Sequence, residues 1–89
     1  MPEWAQQVYS RDFDADFFRL TEKIQDQIEA KIDELGSRLS AYPHQRLQGN
    51  DNCRLRVGHY RVVYSFDLAA NVLFLKIVGH RREVYRWLE

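Results

Sequence analysis

The second half of the chain contains three short segments whose composition is typical of β-strands. Val, Tyr, Phe and Leu are frequent in Cys53–Val57, Tyr60–Asp67 and Val72–Val78, and turn-forming residues separate these segments. Only Gly58 and His59 lie between the first two, a gap of the length that a tight hairpin uses. Strands joined this closely must lie antiparallel, because a parallel pair needs a crossover of about a dozen residues. The segments therefore predict an antiparallel meander.

Helical periodicity dominates the first half of the chain instead. Apolar residues recur there at spacings of 4, 4, 3 and 4, and the positions between them are mostly charged or glutamine. These apolar positions are Ile24, Ile28, Ile32, Leu35 and Leu39. Thr21 is a suitable N-cap for the helix, and Pro43 sets its latest end.

A second, shorter helix is expected before Thr21. Asp14 or Asp16 can open it, and Phe13 and Phe17 lie on its apolar side. Trp4–Ser10 is a weaker strand candidate that can join one edge of the sheet. We therefore predict one α+β domain over residues 1–89, with a small antiparallel sheet of three or four strands. An N-terminal helical hairpin packs on one face of this sheet and leaves the other face open.

Composition restricts the cofactors and the cellular compartment that we expect. Cys53 is the only cysteine, so it cannot form an internal disulfide and is expected as a small apolar filler. His44 and His59 are expected at the surface, and no carboxylate pair or His/Cys cluster with metal-ligand spacing is evident. We therefore expect neither a metal nor another cofactor. No apolar run or signal sequence indicates a membrane, so a cytoplasmic protein is expected.

Charge is unevenly distributed, although the formal net charge is zero. Residues 1–37 hold nine acids and four bases, whereas residues 38–89 hold nine bases and four acids. Eight of the nine bases in the second half are arginine, whose planar fork binds phosphate bidentately. The second half can therefore hold an RNA backbone. Pairing of these arginines with acids across the folded surface is the alternative interpretation.

The basic residues of the second half are expected to converge on the open face of the sheet. Arg54 and Arg56 are two positions apart on a strand, so they project from the same face. The meander brings Arg61 and the segment that follows the last strand beside them, and this segment includes His80 and Tyr85. Such a cluster suits phosphodiester cleavage by a 2′-hydroxyl, which needs cations for the phosphorane, a base and an acid.

Two stretches resemble the signature of the RelE/ParE toxin superfamily. They are R-L-R-V-G-H-Y-R-V-V-Y at residues 54–64 and V-G-H-R-R-E-V-Y-R at residues 78–86. Leu47-Gln48-Gly49 also resembles the lead-in to the family's second strand, and the preceding helical hairpin stands in the expected order. The resemblance covers nearly the whole chain. It implies a small antiparallel sheet with two N-terminal helices on one face.

The resemblance also implies roles for particular residues. Arg61 corresponds to the arginine that contacts the scissile phosphate, and Arg81 to the arginine that stabilises the transition state. Tyr85 corresponds to a tyrosine that stacks on a base or transfers a proton. RNA contacts are expected from Arg54, Arg56, Arg82 and Arg86, although the first two stand where lysines are frequent. Because arginine stays protonated, His80 is the best-suited general acid or base.

Two activities are compatible with the resemblance. RelE-type toxins enter the ribosomal A site and cut mRNA there, whereas ParE-type toxins bind DNA gyrase and inhibit it without chemistry of their own. Arg61, Arg81 and Tyr85 favour a ribosome-dependent endonuclease that needs no metal and leaves a 2′,3′-cyclic phosphate. The neutral net charge and the missing lysines keep two alternatives open, a gyrase inhibitor and an inactive interaction module. Either kind of toxin implies a cognate antitoxin as partner.

Overall fold

The computed structural model describes residues 3–88, with side chains described through residue 85. The elements in chain order are β1 (Gln6–Tyr9), α1 (Arg11–Phe17), α2 (Glu22–Ser37), β2 (Gln45–Arg46), β3 (Cys53–Val57), β4 (Tyr60–Asp67), β5 (Val72–His80) and α3 (Arg81–Leu88). The strands form one five-stranded sheet in the order β1-β5-β4-β3-β2. Strands β2 to β5 are antiparallel neighbours, and β3, β4 and β5 form the predicted meander. The α+β fold with an N-terminal helical hairpin is confirmed.

Two strands differ from the sequence-based prediction and raise the strand count to five. β1 runs parallel to β5, because two helices and three strands separate them and no tight turn imposes the antiparallel direction. β2 has only two residues, which is too short for a periodic pattern to reveal. β5 also continues to His80, past the expected end at Val78.

Side-chain caps fix the start of each N-terminal helix. Thr21 caps α2 as predicted, and its hydroxyl oxygen accepts a hydrogen bond from the Ile24 amide at 3.4 Å. The cap of α1 is Ser10 rather than Asp14 or Asp16, which lie within the helix. Ser10 holds this position because its hydroxyl accepts from the Phe13 amide at 3.0 Å and donates to the Lys76 carbonyl at 2.6 Å.

The main core lies between the helical hairpin and one face of the sheet. On β3 the burial alternates, so that Cys53, Leu55 and Val57 are buried and the two arginines between them are exposed. α2 contributes its apolar stripe to this core, with Ile28 and Leu35 fully buried. Arginines 54 and 56 therefore project from the sheet face opposite the hairpin.

The segment that follows β5 forms a helix that was not predicted from the sequence. α3 packs on β5 and β4, and its Val84 is only 2% exposed. The sheet face opposite the hairpin is therefore partly covered rather than fully open. Within residues 3–88, no helix is both long enough and apolar enough to span a membrane.

Candidate nucleic-acid interface

Three residues of neighbouring strands form a row on the sheet face opposite the helical hairpin. Arg56 on β3 pairs with Arg61 on β4, and Arg61 pairs with Gly79 on β5. Paired residues of adjacent strands project to the same face, so the two guanidinium groups share it. Gly79 contributes no side chain to the row, which leaves space there for α3.

The arginines of this face line a polar pocket of about 340 Å³. We call it the arginine pocket, and its lining residues are Tyr42, Pro43, Gln45, Arg54, Leu55, Arg56, Arg61 and Tyr85. Strands β3 and β4 provide the arginines, α3 provides the phenol, and β2 with the segment before it provides the remaining wall. The fold thus brings together residues that are distant in sequence, as in the hydrogen bond between Arg54 and Tyr85, which are 31 positions apart.

Arg61 is held in a fixed orientation at this pocket. It is only 5% exposed, and its Nη1 donates hydrogen bonds to the Gly58 carbonyl at 2.9 Å and the Tyr60 carbonyl at 2.8 Å. Because both acceptors belong to the β3–β4 turn region, the hairpin itself positions the guanidinium. A cation held in this way is preorganised to stabilise negative charge.

None of the pocket arginines forms an ion pair with the carboxylates that the structure describes. The salt bridges among these side chains join Lys31 and Arg38 to Glu34, and Arg46 to Asp51. The interpretation that the arginines of the second half are neutralised by neighbouring acids therefore does not hold for this pocket. The positive charge at the pocket is available to an anionic ligand.

Tyr85 completes the pocket from α3. Its phenol oxygen accepts a hydrogen bond from Arg54 Nη1 at 3.4 Å, and the residue is 38% exposed. Hydrogen bonding to the Arg61 guanidinium lowers the pKa of the Tyr85 phenol, and the charges of Arg61, Arg54 and Arg81 lower it further. The cluster therefore stabilises the phenolate, which is the form that accepts a proton.

Arg81 lies at the first position of α3 and is exposed. Its backbone amide donates a hydrogen bond to the His59 carbonyl at 2.8 Å, which ties α3 to the β3–β4 turn. Residues four apart on a helix share a face, so Arg81 and Tyr85 are neighbours. Arg81 is not among the lining residues of the pocket, but it is close enough to lower the pKa of the Tyr85 phenol.

His80 does not join the arginine cluster, contrary to the expectation from sequence. It pairs with Tyr60 across β4 and β5, and their rings meet edge-on at 5.8 Å. Its ring also stacks against that of His59 at 6.2 Å. His80 itself lines a separate pocket, together with Asp16 and Glu83. The physical reason is strand alternation, which directs His80 and the preceding Gly79 to opposite faces.

Two further predicted RNA-binding residues lie on α3. Arg82 is exposed and does not line the arginine pocket. The side chain of Arg86 lies outside the described residues. Among the side chains that are described, no group of three or more His, Cys, Asp or Glu residues could hold a metal ion.

Sequence reasoning missed the wall of the pocket that is formed by the start of β2 and the residues just before it. Tyr42, Pro43 and Gln45 form this wall, and His44 anchors it on the sheet. The His44 Nε2 donates to the Leu39 carbonyl at 2.7 Å, and its Nδ1 accepts from the Tyr64 hydroxyl at 2.6 Å. The expectation that His44 is a surface residue is wrong, because its ring is half-buried and stacks on Phe66 at 4.1 Å. The one feature of the sequence that could have indicated this wall is the pair of aromatic rings, Tyr42 and His44, on either side of Pro43.

Solved toxin structures share this fold. The isolated RelE toxin of E. coli matches with a TM-score of 0.74 at 19% identity, over 94% of each chain. A chain of the RelB–RelE complex from Methanococcus jannaschii matches with a TM-score of 0.71 at 20% identity, over 92% of this chain and 99% of that one. A chain of the intact E. coli RelBE complex matches with a TM-score of 0.71 at 22% identity, over 85% and 95%. The fold is thus that of a small RelE-like toxin.

The family assignment rests on the sequence itself. Residues 8–85 match the family described as the ParE toxin of the type II toxin–antitoxin system parDE. The chain belongs to this family, within the RelE/ParE superfamily, and it is the toxin of a toxin–antitoxin system. No curated protein sequence matches it significantly.

Proposed function

We propose that this toxin is an endoribonuclease that cleaves mRNA in the ribosomal A site without a metal. The observation that carries the proposal is the arginine pocket, in which Arg54, Arg56 and Arg61 meet the phenol of Tyr85. The pocket combines guanidinium groups that form no salt bridge with the described carboxylates and a phenol whose pKa is lowered, which increases the fraction present as phenolate. Cleavage of RNA by its own 2′-hydroxyl requires both features.

The substrate phosphate would lie between the guanidinium groups. Arg61, fixed by the β3–β4 turn, would bind the non-bridging oxygens as negative charge develops on them. Arg54 and Arg56 would hold the flanking backbone, and their exposed side chains can reach it without disturbing the core. Arg81 and Arg82 at the start of α3 would extend this basic surface.

Tyr85 is the proposed general base. Its phenolate would remove the proton of the 2′-hydroxyl, whose oxygen would attack the adjacent phosphorus and form the 2′,3′-cyclic phosphate. The bond from phosphorus to the 5′-oxygen would break, and this oxygen would take a proton from solvent. The location of His80 in a separate pocket makes it less suited to this role than Tyr85.

A second candidate function is inhibition of DNA gyrase by binding alone. The observation that favours it is the family match itself, which is to the ParE toxins. The guanidinium groups of Arg54 and Arg56 suit an anionic protein surface as much as an RNA phosphate. Because arginine stays protonated, these two residues are not suited to proton transfer. In this case the arginine pocket would be a binding surface without chemistry.

One pair of assays separates the two functions. The purified toxin is added to ribosomes stalled on a defined mRNA, and cleavage is located by primer extension, while gyrase supercoiling is measured in parallel. We expect A-site cleavage that is lost in Arg61→Lys, because lysine keeps the charge but not the planar fork. Arg19→Ala, which changes an exposed arginine outside the pocket, is the matched control. Inhibited supercoiling with intact mRNA would reverse the conclusion.

The partner that we propose is a cognate antitoxin, expected in the same cytoplasmic compartment. Acidic residues of this antitoxin would cover the arginine pocket and prevent access of the RNA phosphate. Co-expression with the neighbouring reading frame should yield a stable complex that is inactive in the cleavage assay. A toxin that remains active in that complex would argue against coverage of the pocket.

A further inference from the structure

An apolar groove lies between β1, α1 and α2, and it shares no residue with the arginine pocket. Its volume is about 230 Å³, and its apolar lining residues are Tyr9, Phe13, Phe17, Phe18 and Ile32. Phe13 and Phe17 are buried and stack at 5.5 Å, so they form the floor. Phe18 meets Phe17 edge-on at 5.3 Å and is 71% exposed, so it stands at the rim. Tyr9, 41% exposed, contacts Phe13 at the other end of this row of rings, so the exposed apolar surface is continuous across the groove. A contiguous apolar patch of this kind indicates an interaction surface.

Carboxylates surround this groove. Asp14 and Glu29 line it. The pKa of the Tyr9 phenol is raised mainly by burial, and the negative charges of Asp33, Glu29 and Asp14 raise it further. None of the three carboxylates forms a salt bridge with the basic side chains that the structure describes. The groove is therefore apolar at its floor and negatively charged at its rim.

The negative charge continues along the neighbouring helix. Glu22, Asp26, Glu29 and Asp33 recur on α2 at spacings of 4, 3 and 4, so they share one face. Residues 1–37 as a whole hold nine acids and four bases. The surface around the groove thus opposes the arginine pocket in charge, and the two surfaces select different ligands.

The dimensions of the groove restrict its occupant further. Pockets for small molecules and cofactors commonly measure about 300–1,000 Å³ and contain a few convergent polar groups. This groove is smaller and mostly apolar, which suits the insertion of one or two side chains of a protein segment. The carboxylates at the rim would repel an acidic segment and attract a basic one.

We infer that this acidic groove binds a segment of a partner protein in which large apolar side chains are flanked by lysine or arginine. The apolar side chain packs on Phe13 and Phe17 and is covered by Phe18. The flanking cations pair with Asp14 and Glu29. This inference does not depend on the nuclease proposal, because no pocket arginine takes part.

A pair of synthetic peptides tests the inference on the full chain. The probe is a 12-residue peptide with leucine or phenylalanine at helical spacing and lysine at the other positions, and the control peptide carries glutamate in place of lysine. Binding is measured by calorimetry and mapped by amide chemical shifts in NMR. We expect saturable binding of the basic peptide, shifts that concentrate on α1 and the facing side of α2, and no binding of the acidic peptide.

Variants of exposed residues provide the specificity control. Phe18→Ala and the double variant Asp14→Asn/Glu29→Gln should each weaken binding of the basic peptide by about tenfold or more. Phe74→Ala removes a ring that is 37% exposed elsewhere, and Asp51→Asn removes a charge at the far edge of the sheet. Both should bind as the unchanged protein does.

Three results would overturn the inference. The first is absence of binding at millimolar peptide, and the second is equal binding by all four variants. The third is self-association of the toxin through this groove, which would make a second copy the occupant. Because the substituted side chains are exposed, a loss of binding with an unchanged NMR fold reports on the groove itself.

Discussion

Arg61 on β4 lies directly opposite Gly79 on β5, and the missing side chain at position 79 leaves room for α3 to approach the sheet. A Cβ at Gly79 would lie 3.4 Å from a methyl carbon of Val84 and 3.5 Å from a carboxylate oxygen of Glu83, which are ordinary contacts. Gly79→Ala should therefore leave the helix in place. A larger side chain would displace α3, and with it Tyr85.

This relationship predicts a graded effect on activity. Gly79→Ala should retain cleavage, whereas Gly79→Leu should reduce it by about tenfold or more, because misplaced catalytic groups lose most of their effect. The measurement is the rate of A-site cleavage beside the thermal unfolding of each variant. Full activity of a folded Gly79→Leu protein would show that the position of α3 does not matter to the reaction.

The lowered pKa of the Tyr85 phenol predicts the pH dependence of cleavage. The base proposed above is the phenolate, so the rate should rise with pH and level off below the ordinary tyrosine pKa of about 10. Arg54→Gln removes one of the charges that lower this pKa, so it should move the rise to higher pH. Tyr85→Phe should remove the rise and lower the rate by about 100-fold to 10,000-fold.

The pH profile has an independent check. Ultraviolet difference titration of the unchanged protein against Tyr85→Phe isolates the ionisation of this phenol. Its midpoint should coincide with that of the rate profile, and Arg19→Gln should alter neither. A rate that is flat across the titration of Tyr85 would assign the proton transfer to another group.

The exposed strand arginines should control the salt dependence of RNA binding. Each phosphate contact with single-stranded RNA contributes about 0.7 to the slope of log affinity against log salt concentration. Arg54→Gln and Arg56→Gln should each reduce the slope by about this amount, as measured by fluorescence anisotropy with a 2′-O-methyl RNA that cannot be cleaved. Arg19→Gln should keep the original slope. If Arg54→Gln and Arg56→Gln also keep it, these arginines do not contact phosphate.

The fold could be predicted from sequence where a short-range pattern determines it. The two-residue gap at Gly58 and His59 determined the β3–β4 hairpin, and the apolar spacing determined α2. The direction of β1 could not be predicted, because it depends on how the helical hairpin returns the chain to the sheet. The predicted start of α1 at Asp14 or Asp16 was also wrong. Ser10 is the N-cap partly because its hydroxyl bonds to the Lys76 carbonyl, 66 residues away in sequence.

The candidate site was predictable to the extent that strand alternation applies. Alternation places Arg54 and Arg56 on one face of β3, and the pairing of β3 with β4 puts Arg61 on the same face, opposite Arg56. The same rule, applied to β5 once its true end is known, removes His80 from the cluster. The contribution of Tyr42, Pro43 and Gln45 was not predictable, because it depends on a partly buried hydrogen bond between His44 and Tyr64, 20 positions apart in sequence.

That partly buried hydrogen bond is expected to make a measurable contribution to stability. Burial raises the pKa of the Tyr64 hydroxyl, which therefore stays protonated and donates to His44 Nδ1 at 2.6 Å. Tyr64→Phe leaves this nitrogen without a donor and should lower the free energy of unfolding by about 1–3 kcal/mol in urea. Tyr9→Phe removes a hydroxyl whose hydrogen bond to Gln7 is exposed, and it should change stability by less than about 0.5 kcal/mol.

The same substitution connects stability with the arginine pocket. His44 holds the segment that carries Tyr42 and Gln45, so a weaker anchor should loosen one wall of the pocket. Tyr64→Phe should therefore also weaken RNA binding at temperatures at which the protein is still fully folded, whereas Tyr9→Phe should not. Equal stability of the two variants would mean that the His44–Tyr64 bond contributes nothing. Lower stability with unchanged RNA binding would instead show that the His44–Tyr64 bond stabilises the fold but does not hold the wall of the pocket in place.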